Sequence, residues 1–126
     1  MRSSFLVAVL PLVLAACAQG VAPSQAGDLT LENRTGGAVM YNALELEASH
    51  LVDPAPEWRV RDRPERLVSP GGRQEVQIEG YKRGDDVRLF IYHVDAASEK
   101  AVLTWVLTLT DTELRRTNFR VVVDTL

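Results

Sequence analysis

One thiol, two imidazoles and a run of guanidinium groups are the side chains of this chain with chemistry to offer. The thiol is Cys17, the single cysteine, placed at the end of "LPLVLAAC". A thiolate outclasses a hydroxyl as a nucleophile near neutral pH, so a lone cysteine of this kind marks a point of covalent attachment or a buried bystander. The imidazoles are His50 and His93. A two-histidine metal centre needs a third ligand close by, and the spacing supplies none, so neither a metal nor any other cofactor is expected. Ser49, Ser69 and Ser98 fall in turns or loops, without the strand-to-helix elbow that exposes a nucleophilic serine. With no nucleophile and base brought together, the expectation is a protein that is not an enzyme.

The guanidinium groups are concentrated in "RVRDRPER", where Arg59, Arg61, Arg63 and Arg66 follow directly on Trp58. At strand spacing Arg59, Arg61 and Arg63 project to one side. Their fork geometry suits phosphate-bearing head groups, acidic glycans or an acidic protein surface. The opposing reading is a solvated edge, its charge partly cancelled by Glu57, Asp62 and Glu65, that discourages edge-to-edge aggregation. Trp58, Arg59, Arg61, Arg63 and Arg66 therefore make up the candidate binding surface. Trp58 is expected half exposed, whereas Trp105 shares a strand face with leucines and is expected in the core. Nucleic acid is a poor partner: the net charge is −3 and no aromatic platform interleaves with the basic residues. Glu45, Glu47, Asp53 and Glu57 are too dispersed for a calcium loop. Arg83-Gly84-Asp85 reads as a turn, and Asn33-Arg34-Thr35 matches a glycosylation acceptor by spelling only.

The residues before Cys17 explain its position. Arg2 supplies a positive start, and an apolar run from Phe5 to Ala16 follows, broken at Pro11. At about a dozen residues the run is shorter than the roughly 20 of a spanning helix and fits the apolar region of a secretory signal. Leu14-Ala15-Ala16-Cys17 then resembles the lipobox of bacterial lipoproteins: an aliphatic residue, two small residues and the cysteine. The resemblance covers only the first 17 residues or so. It implies that residues 1–16 are cleaved as a signal peptide and that Cys17 is lipidated. Two or more acyl chains suffice for stable attachment to a membrane. In that family Asp after the cysteine favours inner-membrane retention; Ala18 stands here, which resembles the outer-membrane pattern, on the periplasmic face if the cell is Gram-negative. Lipidation also removes the one thiol, leaving a domain held by its core without disulfides.

Residues 17–27 comprise the lipidated cysteine and a small-residue stretch, "AQGVAPSQAG", that reads as a flexible tether. Residues 28–126 read as a single domain, long enough for one proper core. Its pattern is that of strands. In "AVLTWVLTLT" Leu103, Trp105, Leu107 and Leu109 alternate with Thr104, Thr108, Val102 and Val106. "DLTLEN", "AVMYNALELE", "RQEVQIE" and "TNFRVVVDT" alternate likewise, with Leu29 and Leu31, Leu44 and Leu46, Val76 and Ile78, and Phe119, Val121 and Val123 on their apolar faces. "VRLFIYHV" is apolar on both faces and is expected near the middle of a sheet, covered on each side. "SPGG" predicts a type II turn with Gly71 at positive φ. Residues 48–66 hold three prolines and predict a long excursion, with one short edge strand around Trp58 to Arg61. The expected fold is all-β: an antiparallel immunoglobulin-like β-sandwich, with a small up-and-down β-barrel as the alternative.

These readings converge on a lipid-anchored cell-envelope protein acting as a non-catalytic binding or accessory module. Its partners would be the membrane, through Cys17, and an envelope protein or anionic surface. The alternative is a β-barrel carrying a lipid or other small hydrophobic ligand, which requires an enclosed apolar interior.

Overall fold

A computed structural model describes residues 28–124. The segments expected to form a signal peptide and a tether, with Cys17 between them, lie outside the described residues. The fold is an all-β sandwich of two separate sheets, not a closed barrel. The first sheet has the order β4-β1-β7, from β1 (Asp28–Asn33), β4 (Arg73–Gln77) and β7 (Arg120–Val123). The second has the order β3-β2-β5-β6, from β2 (Val39–Glu45), β3 (Leu67–Val68), β5 (Val87–Val94) and β6 (Ala101–Leu109). All neighbouring strands run antiparallel except β1 and β7, which are parallel.

Between the sheets, side chains of alternating residues interdigitate, as period-two patterning requires. Leu29 and Leu31 of β1, Val76 and Ile78, and Phe119, Val121 and Val123 meet Val39, Tyr41 and Ala43 of β2 and Val87, Leu89 and Ile91 of β5. The outward residues of β5, Phe90 and Tyr92, are equally buried, in a second cluster with Met40 and Leu44. The expectation for "VRLFIYHV" thus holds: β5 lies between β2 and β6 and has a covered surface on each side.

Three features depart from simple strand alternation. First, β2 ends at Glu45, and Leu46 opens a short helix, α1 (Leu46–Ser49), so Leu46 does not continue the face of Leu44. The Glu45 carboxylate accepts from the backbone N–H groups of Glu47 and Ala48, diverting the chain out of the sheet. Second, β6 slips against β5 between Ile91 and Tyr92: Ile91 opposes Trp105 but Tyr92 opposes Leu103, leaving Thr104 as the extra residue of a bulge. The bulge sends Trp105, Leu107 and Leu109 to the inter-sheet core and Leu103 to the outer cluster, separating residues that simple alternation puts together. The Thr104 hydroxyl accepts the His93 N–H at 3.2 Å at this point. Third, a helix, α2 (Asp111–Arg116), precedes β7, closed at its start by reciprocal bonds between Thr110 and Glu113. It buries Leu114, and the chain leaves it through Asn118 and Phe119, both at positive φ. For a bulky residue that conformation is strained; burial of the Phe119 ring, edge-on to Tyr81 at 6.2 Å, holds it there.

Turn chemistry follows the sequence closely. Gly71 has φ 78° and the Gly72 N–H donates to the Ser69 carbonyl at 2.8 Å, the type II turn read from "SPGG". Arg83-Gly84-Asp85 is a turn, with Gly84 at φ 95° and the Asp85 carboxylate accepting from the Lys82 N–H at 2.7 Å. Asn33 is fully buried: its amide donates to the Gly37 and Val68 carbonyls and its oxygen accepts from Thr35. The acceptor spelling at Asn33-Arg34-Thr35 is therefore spent on pinning the end of β1.

Candidate functional site

The long excursion after α1 lies across the outer face of the second sheet and is held at successive points. The Tyr92 hydroxyl donates to the Pro54 carbonyl at 2.8 Å. Burial, with the nearby Asp53 charge, pushes the phenol up to about 12, so it stays a neutral donor. The Trp58 ring packs tilted against Tyr92 with centroids 5.2 Å apart. Beside β6, the Ala101 N–H donates to the Trp58 carbonyl at 2.9 Å and the Val60 N–H to the Glu99 carbonyl at 3.1 Å. Trp58, Val60 and Leu67 thereby roof the outer cluster around Tyr92.

The sequence reading put an edge strand here; instead there are two 3-10 turns, Val60–Asp62 and Pro64–Arg66, and a single bridge between Arg59 and Lys100. Two local causes act. The Asp62 carboxylate accepts the Arg59 N–H at 2.9 Å, curling the chain, and Pro64 has no N–H to give a ladder. Arg59, Arg61 and Arg63 consequently do not project as one strand face.

The four arginines divide by environment. Arg66 is anchored, with only 21% of its side chain exposed. It donates to Asn42 Oδ1 at 2.8 Å, pairs with Glu79 at 2.9 Å, and lies 5.5 Å from the Trp58 ring centroid. Asn42 is itself buried and needs such a donor. Arg66 therefore serves as a clip rather than a free cation. Arg63 is exposed and stands 6.0 Å from the Trp58 centroid, at the reach of a cation–π contact. Arg61 is exposed and Arg59 half-buried. Among the described residues, Arg59, Arg61 and Arg63 are in no ion pair with a carboxylate.

Trp58 and Arg59 line an open groove of about 400 Å³ together with Pro56, Glu57, Lys100, Ala101, Val102 and Leu103. Val102 is 53% exposed there. Lys100 and Val102 are site residues the sequence reading missed. Their only signal was the turn "DAASEK", which folds β6 back so that its first residues meet Trp58. Trp58 is half-buried, as expected; Trp105 is only partly buried, because it lies on the outermost strand.

The histidines and serines singled out in the sequence lie apart from one another among the described residues. His50 caps the end of α1, while His93 sits at the far end of β5, opposite Val39. The Ser98 hydroxyl donates to the Asp95 carboxylate at 2.7 Å, and the Ser49 hydroxyl to the Leu46 carbonyl at 2.6 Å. Among the described residues no three of His, Cys, Asp and Glu are grouped to hold a metal ion.

A second charged cluster, on the outer face of the first sheet, escaped the sequence reading entirely. Glu32 receives Arg34 at 2.7 Å, also pairs with Arg120, and has Arg73 at 3.8 Å. Hydrogen bonds from Arg120 and then Arg34 hold the Glu32 carboxyl down at about 2. Arg120 comes from 88 residues away, brought in by the parallel β1–β7 pairing. No protein-family model, curated protein or solved structure matches the chain.

Proposed function

We propose that the chain is a lipid-anchored cell-envelope protein whose sandwich domain binds a partner and carries out no chemistry of its own. The binding face is the Trp58 groove with its basic border, and the partner is an anionic surface of an envelope component. The observation that carries this reading is the division among the arginines. Arg66 is consumed by the fold, whereas Arg59, Arg61 and Arg63 sit unpaired beside a half-buried tryptophan and an exposed valine. Fork-shaped donors next to an aromatic anchor are the residue types that dominate protein recognition. The carrier reading needs an enclosed barrel, and the two sheets are separate with their facing side chains packed together.

Attachment rests on the lipobox-like Leu14-Ala15-Ala16-Cys17 and is tested apart from binding. Mass spectrometry of the mature N-terminal peptide is expected to show an acylated Cys17 residue, and Cys17→Ser is expected to release the protein from the membrane fraction. A free thiol at position 17, or unchanged retention of the variant, overturns the anchor. For the binding face, a photo-crosslinker at Val102 in intact cells is expected to yield one discrete adduct. Reversing Arg59, Arg61 and Arg63 to Glu should abolish it; an adduct indifferent to those charges overturns the assignment.

A further inference from the structure

The backbone beside the Trp58 groove sets two cations next to each other. The Ala101 N–H donates to the Trp58 carbonyl and the Val60 N–H to the Glu99 carbonyl. These bonds flank a directly opposed pair, Arg59 and Lys100, without joining it. In an antiparallel pair this is the closer kind of opposition, with Cα atoms about 4.5 Å apart against about 5.5 Å for a hydrogen-bonded pair. Both side chains leave on the same side, and like charges placed this way destabilise the pairing. The carboxylates nearby are engaged elsewhere or stand apart. Asp62 is turned to the Arg59 N–H, and Asp95 accepts from the N–H and hydroxyl of Ser98. Among the described residues neither these two nor Glu57 and Glu99 are ion-paired with Arg59 or Lys100. Placement, not an excess of positive charge, singles out the pair. Both residues line the groove, with Trp58 and the exposed Val102.

We propose that Arg59 and Lys100 together seat one phosphate monoester group in the Trp58 groove. The site rests on the reading of this groove as the binding face and names the group that it takes. A phosphate monoester presents three free oxygens and a charge of about −1.5 to −2 near neutral pH. The planar Arg59 fork matches two of those oxygens, and the Lys100 ammonium, a point charge on a flexible stem, takes the third. An anion between the two cations replaces their repulsion with two attractions, so the unfavourable opposition in the free protein is relieved on binding. A carboxylate, with one charge and two oxygens, satisfies the arginine alone. Trp58 and Val102 give the molecule that carries the phosphate an apolar surface to lie against.

The test is the thermal transition and the amide NMR spectrum of the purified full chain in neutral detergent, in inorganic phosphate against chloride of equal ionic strength. Phosphate is expected to raise the wild-type midpoint above its chloride value and to shift the Arg59, Lys100 and Val102 amides saturably. Arg59→Gln and Lys100→Gln each remove one of the opposed charges. Without phosphate each should melt no lower than the wild type, which a purely structural role for either side chain excludes. In phosphate each should lose the rise and bind at least about tenfold more weakly. Lys82→Gln, at an exposed turn position, should respond as the wild type does. Glucose 1-phosphate and vesicles bearing phosphatidic acid carry the same group on a sugar and on a lipid. Saturable binding of either, lost in both variants, supports the site, and the tighter one identifies the carrier. No rise over chloride in the wild type, or a rise that both variants keep, overturns the proposal. If an arginine-dependent adduct at Val102 persists in that case, the groove takes another anion and only the phosphate assignment falls. If that adduct is missing too, the binding face falls with it.

Discussion

The two apolar clusters of this molecule share β5 but are built differently. Between the sheets, strands cover strands, and each side contributes residues at period two. On the outer face, a proline-rich loop covers strands through scattered contacts of different kinds, among them a tyrosine hydroxyl, a tryptophan ring, an arginine and a few backbone hydrogen bonds. The first cover is a ladder of many equivalent contacts; the second is a few dissimilar ones. The difference shows where the fold is cooperative and where it can open locally without unfolding.

The contrast predicts a graded set of effects. Leu31→Ala, at a fully buried position between the sheets, is expected to cost about 2–5 kcal/mol and to lower the denaturant midpoint for every probe together. Trp58→Ala should cost less, about 2 kcal/mol, because the ring is only half-buried. Its signature is local: hydrogen exchange should accelerate at the Val60 and Ala101 amides while β1 and β5 stay protected. If those core strands lose protection equally, the two clusters are one cooperative unit and the contrast fails. Tyr92→Phe removes a single buried donor to Pro54 and should cost about 1 kcal/mol, with the same local pattern.

The smallest expected effect concerns neither cluster. The Glu32 carboxyl is held below its ordinary value of 4.5, at about 2, so its pairing with Arg120 and Arg34 stabilises the fold fully above pH 4.5. That contribution fades as pH falls toward 2. Urea midpoints measured down this range should drop less steeply for Glu32→Gln than for the wild type. Equal slopes would mean that Glu32 is not ion-paired in solution.

What was legible in the sequence follows the same division. The inter-sheet residues were readable because alternation is local: Leu29 and Leu31, or Val121 and Val123, declare their face within a few positions. The type II turn at Gly71 was readable because proline and glycine dictate backbone angles directly. Leu46 and Leu103 were misplaced, since a carboxylate cap and a one-residue bulge each interrupt a pattern that composition leaves intact. The arginine cluster was visible, but its division was not. Whether a guanidinium is free depends on Asn42 and Glu79, far off in sequence and near in space. Lys100 and Glu32 were invisible for the same reason.

The parallel pairing of β1 with β7 makes the two ends of the described chain neighbours. During synthesis β1 emerges first, yet one of its flanks stays bare until Val123 has been added. A nascent or shortened polypeptide that stops before Arg120 has neither Val121 nor Val123 to complete the first layer. It also has no partner for Glu32 from that strand. The first sheet is therefore completed only when β7 takes its place beside β1.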